Sequence, residues 1–161
     1  GRDYNGKLYE TGGLSTGDVG RCRNPDQPGA TWAGRRSRLE QMTAAGMHPS
    51  LGFGFDYNGF AGGPGPRFGP DGCATPQDDP ITYPFTSVDG AVTFEQPVAG
   101  NRSFDFNQEG MAHMGLLPEL IEDARRDGAT DEDLEALFRS AEGYLRMWER
   151  AQARGAALRG E

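Results

Sequence analysis

Apolar residues recur at helical spacing from residue 32 to about residue 45. The face that they share carries Trp32, Leu39, Met42 and Ala45. Thr31 is a capping residue before this segment and Gly46 is a stop after it, so the pattern predicts a helix between them. The next apolar residues alternate with small ones, which predicts a short buried strand ending at Asp56; they are Leu51, Phe53 and Phe55.

A second helical pattern begins near residue 116, with Pro118 in its first turn and Gly128 at its end. Thr130 then starts a sequence like a capping box, which predicts a third helix from there to about residue 153. The apolar stripe of this helix consists of Leu134, Leu137, Phe138, Ala141, Tyr144, Leu145 and Trp148. We expect the last residues, 154–161, to form a frayed tail.

The middle of the chain shows neither the spacing of apolar residues in a helix nor the alternation of a strand. Residues 57–90 form a long irregular connection, and such connections are usually functional or disordered. Their aromatic residues argue against full disorder. Residues 91–107 predict a hairpin whose turn is formed by Gly100 and Asn101 and whose buried face carries Phe104 and Phe106.

Composition narrows the class of protein. The 161 residues include 25 glycines and 11 prolines, which excludes a plain helix bundle or a coiled coil. The net charge is −8 and no clustered basic face is visible, so we expect no nucleic-acid partner. No apolar stretch is long enough for a transmembrane segment, and the first twenty residues lack the apolar region of a signal peptide.

The two cysteines, Cys22 and Cys73, both lie in loop-like sequence rich in glycine and proline. Neither has the Cys-x-x-Cys spacing or the histidine-rich surroundings of a zinc site. Two alternatives remain open, a disulfide between two loops or two unrelated thiols. A disulfide would imply an exported protein, either secreted or located in the cell envelope.

Asp56 is the foremost candidate for chemistry, because it ends a predicted buried strand. In a parallel α/β barrel such a carboxylate points into the active-site face, where it binds a metal or accepts a proton. The alternative is a turn aspartate before Asn58 and Gly59. Spacing alone favours neither interpretation.

The other candidates are single residues with a plausible structural alternative. Arg67 lies in a rigid Pro-Gly-Pro-Arg-Phe-Gly run and would clamp a substrate carboxylate, or it is a surface arginine. His113 lies in the sequence EGMAHMG and is either catalytic or structural. We expect His48 to be an exposed loop residue.

Two stretches resemble a known family. Residues 52–59, Gly-Phe-Gly-Phe-Asp-Tyr-Asn-Gly, resemble the Gly-x-Gly-Ser-Asp-Phe-Asp-Gly signature of the membrane (renal-type) dipeptidase family of metallopeptidases. Residues 110–150 are similar to the family's C-terminal run, with a proline before a helix, an acidic cap and a final helix ending in Leu-Arg-x-Trp. The resemblance covers about 32–60 and 110–150.

The resemblance implies an α/β fold, the C-terminal portion of a TIM-like (β/α)8 metal-dependent hydrolase barrel. Asp56 matches the aspartate that closes the eighth strand beside the metals and handles the proton during hydrolysis. We expect the substrate pocket to include Tyr57, Asn58, Arg67 and His113. Asn58 departs from the family, which has a second aspartate there.

The same resemblance implies a divalent metal, usually zinc, whose ligands lie on earlier strands that this chain does not contain. We therefore expect a partner, the N-terminal barrel chain of the same enzyme, produced by a cut at Gly1 or encoded separately. The substrate would be a small amide or peptide. Asp56 is the candidate metal contact of this chain.

The predicted organisation has five parts. They are a loop-rich segment (1–31), the last barrel helix and strand (32–60), a long active-site loop with a hairpin insertion (61–109), the C-terminal helices (110–153) and the tail (154–161). The alternative function is a catalytically inactive barrel subunit that serves as a scaffold or interaction module. A small unrelated α+β domain is a third interpretation.

Overall fold

The computed structural model describes residues 4–14, 22, 30–52, 54 and 63–160. The chain divides into two compact units, which we describe separately. The first unit comprises Gly1–Gly17, Trp32–Gly54 and Glu132–Glu161, and the second comprises Asp18–Thr31 and Phe55–Asp131.

Helices form most of the first unit. They are α1 (Tyr4–Glu10), nearly all of α2 (Ala30–Ala44), α5 (Asp131–Phe138) and α6 (Ser140–Arg159). The buried core consists of Tyr9, Met42 and Met47, with Leu8, Leu14, Leu39 and Ala45 packed against it. The helix predicted over 32–45 is confirmed as α2, and Leu39 and Met42 of its predicted apolar face belong to this core.

The end of α2 follows a standard capping pattern. The Gly46 N–H donates to the Thr43 carbonyl at 3.0 Å, and the Met47 N–H donates to the Met42 carbonyl at 2.8 Å. These two bonds, with Gly46 at a φ of +67°, form a Schellman motif that satisfies the last helical carbonyls. The predicted stop at Gly46 is confirmed.

The segment after α2 packs on the C-terminal helices of the first unit. The Leu51 N–H donates to the Ala136 carbonyl at 2.9 Å. Ser50 is fully buried against α6 at Gly143, where an added Cβ would lie 1.8 Å from the Ser50 Oγ. Gly52 forms a single β-bridge, whereas the rest of the predicted strand, Phe53 and Phe55, lies outside the described residues.

The second unit contains the strands and two further helices. The strand β1 (Phe85–Thr86) pairs antiparallel with β2 (Thr93–Phe94), and β3 (Val98–Ala99) pairs antiparallel with β4 (Arg102–Ser103). The helices are α3 (Phe106–Glu109) and α4 (Leu117–Arg126), the latter preceded by a 3-10 turn, Met114–Leu116. The buried apolar residues of this unit include Ile81, Phe85, Phe104, Phe106, Met111, Leu116, Leu120 and Ala124.

The predicted hairpin is correct at its turn and wrong in its strands. The turn at Gly100 and Asn101 does join two paired strands, but each is only two residues long. The residues Thr93 and Phe94 pair instead with β1, where the Phe94 ring lies 5.2 Å from the Phe85 ring. Phe106 is buried as expected, but it begins α3 because the Asp105 side chain caps that helix.

The C-terminal helices differ from the pattern in two ways. The single helix predicted from 130 to about 153 breaks between α5 and α6, and helix continues through Arg159 instead of fraying at 154. The predicted apolar stripe is buried only in its first half, at Leu134 and Leu137. Its second half is exposed at Tyr144 (50%), Leu145 (57%) and Trp148 (53%).

The described strands form two small antiparallel sheets and no barrel sheet. The fold observed in the described ranges is therefore a mixture of helices with short strands, and the partial barrel stays a prediction. Among the helices of these ranges, none combines the length and the apolar character that a membrane crossing requires.

Candidate functional site

Three buried polar atoms of the second unit lack a hydrogen-bond partner among the described residues. They are the Tyr83 Oη, the His113 Nε2 and the Glu119 Oε2. Buried polar atoms are nearly always paired, so each of these orphaned atoms needs an explanation. We call these three residues the polar cluster.

His113 is held in one orientation by two contacts. Its Nδ1 accepts a hydrogen bond from the Gly115 N–H at 3.0 Å, at the start of the 3-10 turn. Its ring packs edge-on against the Phe104 ring, with 4.6 Å between the centroids. Because Nδ1 is an acceptor, the neutral imidazole is assigned its proton on Nε2, which makes the orphaned atom a donor.

Glu119 lies in the first turn of α4 with only 3% of its surface exposed. Burial raises the pKa of its carboxyl, and the nearby His113 acts in the opposite direction. Glu119 therefore holds a proton at a higher pH than an ordinary glutamate does.

Tyr83 is the third member of the polar cluster. Burial, followed by the charges of Glu119 and Asp105, raises the pKa of its phenol. The Phe106 N–H acts in the opposite direction, although its contact with the Tyr83 Oη does not have the geometry of a hydrogen bond. Glu119 thus acts on the pKa of Tyr83, and His113 acts on the pKa of Glu119. Histidine, carboxyl and phenol groups are the types that bind small polar molecules or move protons.

We expect Glu119→Gln to stabilise the protein at neutral pH. A carboxyl whose folded pKa is raised binds a proton more tightly in the folded state, so the free energy of unfolding falls as pH rises above 4.5, its ordinary pKa. The amide removes this loss, so the variant should gain about 1 kcal/mol at pH 8 and little at pH 4. Urea denaturation across this pH range measures the difference.

Glu109 provides a control of opposite sign. The Asp105 N–H, followed by Arg102, lowers the pKa of the Glu109 carboxyl. Its contribution to stability is therefore present above its ordinary pKa and lost as the pH falls. Glu109→Gln should lose stability at neutral pH, and a gain in both variants would contradict our assignment.

Arg67 is buried, with 4% of its surface exposed, so it is not a surface arginine. Its Nε donates to the Asp123 Oδ1 at 2.8 Å, and its Nη1 and Nη2 donate to the carbonyls of Asp78 and Asp79 at 3.3 and 3.2 Å. Asp127 lies 3.8 Å from Nη1. Arg67 thereby connects the loop at Asp78 and Asp79 to α4. Its role in a substrate pocket stays a prediction.

The other sequence candidates fall partly outside the described residues. Asp56, Tyr57 and Asn58 all lie there, so the structure gives no geometry for them. Cys22 and Cys73 form a disulfide, with 5.4 Å between their Cα atoms. His48 is half-buried rather than exposed, and its Nε2 is buried without a partner among the described residues.

Sequence reasoning missed two members of the polar cluster. Glu119 follows Pro118 in a helical first turn, where an acidic residue is ordinary because it favours the positive end of the helix dipole. Tyr83 stands in an irregular segment, and only its position among other aromatic residues suggested burial. His113 was a candidate because histidine is scarce, with two in the chain.

The metal that the dipeptidase resemblance implies was tested against the side chains present. Within the part of the chain that the structure describes, no three residues of the types His, Cys, Asp and Glu come together in a way that could hold a metal ion. These residues do not fit a zinc site by themselves, and we derive no chemical step through a metal.

No family model, no curated protein and no solved structure matches this chain.

Proposed function

We propose that this chain is the C-terminal portion of a metal-dependent amide or peptide hydrolase similar to the membrane dipeptidases. The order of elements that leads to Asp56 carries the proposal. The helix α2 stops at Gly46, and the chain then passes through buried Leu51 and the β-bridge of Gly52. The resemblance implies a helix followed by a strand that ends on a carboxylate. α2 and the β-bridge at Gly52 support the first part of this order, and Asp56 follows them in the sequence.

In this proposal Asp56 is the carboxylate that handles the proton. Tyr57, Asn58 and His113 line the pocket for a small amide or peptide. The polar cluster supports a place for His113 there, because its orphaned Nε2 is a donor and Glu119 beside it retains its proton to a raised pH. Arg67 belongs to the same pocket, and its ion pair with Asp123 favours a role in positioning the loop.

A second polypeptide would carry the ligands of a divalent metal, usually zinc. Support comes from the exposed apolar side of α6, which we call the α6 face and define as Ala141, Tyr144, Leu145 and Trp148. These residues recur at helical spacing, and the last three are at least half exposed. Exposed apolar residues that share one face of a helix are typical of a contact with another protein.

The alternative is an inactive subunit that serves as a scaffold or interaction module. One observation favours it, because Asn58 stands where the dipeptidase signature has its second aspartate. The α6 face fits both proposals, since it would serve assembly equally well in an inactive barrel.

Native mass spectrometry with metal analysis of the same purified sample tests the proposal. We expect a complex with a larger chain that holds zinc or another divalent metal. A metal-bearing complex that cleaves dipeptides or other amides supports the hydrolase. A metal-free complex supports the scaffold, and a metal-free species at 17.4 kDa contradicts both proposals for this chain.

Asp56→Asn tests the proposed proton-handling role in that complex. The amide cannot accept the proton, so we expect turnover to fall by about a hundredfold or more while the complex still assembles. The matched control is Asp71→Asn, the same change at an exposed loop residue. Equal activity in both variants would show that Asp56 has no catalytic role.

We also propose a secreted or cell-envelope location. The disulfide between Cys22 and Cys73 supports it, because disulfides persist mainly in oxidising compartments.

A further inference from the structure

The first unit contains a cleft of about 330 Å³ that the proposed function does not use. One side of the cleft is apolar and is formed by Leu14, Met42, Met47 and Pro49. Ligand pockets in proteins begin at about this size, and they combine apolar walls with a few polar groups. Met42 and Met47 are buried core residues, so the half-buried Leu14 and Pro49 form the part of this wall that a ligand can reach.

The other side of the cleft carries charges of both signs, from Arg146, Glu149 and Arg150. Arg146 donates through Nε to the Glu142 Oε1 at 2.5 Å, which leaves the end of its guanidinium without a bond to the described residues. Glu149 forms no ion pair within the described part of the chain. The cleft therefore presents an anionic and a cationic group beside an aliphatic wall.

Two polar atoms at the cleft have poor partners or none. The Arg150 Nη2 donates to the Gly46 carbonyl at 2.5 Å, whereas its Nη1 contacts only the Met47 Sδ, and a thioether sulfur is a weak acceptor. The His48 Nε2 is buried without a partner among the described residues. A ligand carboxylate would give Arg150 a stronger acceptor than sulfur, because charge-assisted bonds are the stronger kind.

We propose that this cleft binds an α-amino acid with an apolar side chain. Its carboxylate pairs with Arg146 and Arg150, its ammonium pairs with Glu149, and its side chain contacts Leu14 and Pro49, next to the buried Met42 and Met47. An α-amino acid carries both charges on one carbon next to an aliphatic group, which matches the cleft better than a simple anion or cation does. This inference does not depend on the proposed hydrolase activity.

Titration of the full chain with L-leucine, followed by NMR of ¹³C-labelled methionine methyl groups, tests the site. We expect saturable shifts of the Met42 and Met47 signals with a Kd of about 1 mM or below. Met111 and Met114 belong to the second unit and serve as internal controls that should not move. Shifts of all methionine signals, or none at about 10 mM leucine, would overturn the proposal.

Two analogues separate the roles of the ligand's charges. The probe 4-methylpentanoate lacks the ammonium group, and isoamylamine lacks the carboxylate. We expect each to bind about two- to fivefold more weakly than leucine, the effect of losing one exposed ion pair. Equal binding of leucine and either analogue would show that the cleft does not recognise the amino-acid group.

Variants assign the charges to side chains. Glu149→Gln should weaken leucine about two- to fivefold and leave 4-methylpentanoate unchanged, and Arg146→Gln should weaken both. The matched control is Arg139→Gln, because Arg139 forms the same type of exposed pair, with Glu135 at 2.8 Å, away from the cleft. If Arg139→Gln weakened leucine binding as much as Arg146→Gln does, the loss would come from a general effect of removing a helical arginine and not from a contact in the cleft.

Discussion

Gly110→Ala is expected to lower the free energy of unfolding by about 2–5 kcal/mol. Gly110 has a φ of +62° and a ψ of −151°, a conformation that residues with a Cβ rarely adopt. An added Cβ would lie 2.4 Å from the Pro64 carbonyl oxygen and 2.6 Å from the Gly65 carbonyl carbon. These are backbone atoms, and the Met111 N–H holds the Pro64 carbonyl in place at 2.9 Å, so the clash cannot be relieved by a rotamer change.

Gly100→Ala is the matched control, because Gly100 has nearly the same φ, +60°, but no atom within 4 Å of an added Cβ. It should lose only about 1 kcal/mol, the strain of the positive φ itself. The difference between the two variants, measured by urea denaturation, isolates the close backbone approach at Gly110. Losses of equal size would contradict the importance of that contact.

Arg67→Met is expected to lower the free energy of unfolding by about 3–5 kcal/mol, because it leaves buried charge without its partner. The side chains of Arg67 and Asp123 are 2% and 4% exposed, and Asp127 beside them is 3% exposed. The substitution also removes the donors to the carbonyls of Asp78 and Asp79. The loop before α4 would lose its attachment to that helix.

Arg102→Met is the control for Arg67→Met. Both arginines pair with a carboxylate and lie over a phenylalanine ring, at 5.0 Å for Arg67 over Phe68 and 4.5 Å for Arg102 over Phe104. They differ in burial, because the Arg102 side chain is 63% exposed. Its replacement should therefore lose less than about 1 kcal/mol. Similar losses in both variants would show that burial of the Arg67 pair is not what stabilises the fold.

Local patterns predicted the helices better than the strands. The stop of α2 at Gly46 depends on bonds within a few residues, and it was predictable. The pairing of Thr93 with Thr86 was not predictable in this way. Residues 91–96 can pair with the segment before them or with the segment after them, and the contact between the Phe94 and Phe85 rings accompanies the first pairing. The apolar stripe of α6 shows a further limit of prediction from sequence. Apolar spacing predicts that residues share a face of a helix, but it does not predict whether other residues cover that face.

Of the candidate site, the sequence indicated His113 but not Glu119, because burial cannot be predicted from a short stretch of sequence. Scarcity drew attention to His113, whereas Glu119 looked like an ordinary acidic residue of a first turn. Its burial follows from the packing of α4 in the second unit, which no short window of sequence contains. The burial of Arg67 likewise depends on Asp123, which is 56 residues away along the chain.

The disulfide between Cys22 and Cys73 spans 51 positions of sequence and encloses the whole of α2. A single backbone cut between these cysteines would leave both fragments covalently linked. On a gel without reductant the cut protein would migrate as one species, and it would separate into two only after reduction. Limited proteolysis of this chain therefore has to be analysed under reducing conditions, because a cut near α2 would otherwise pass unnoticed.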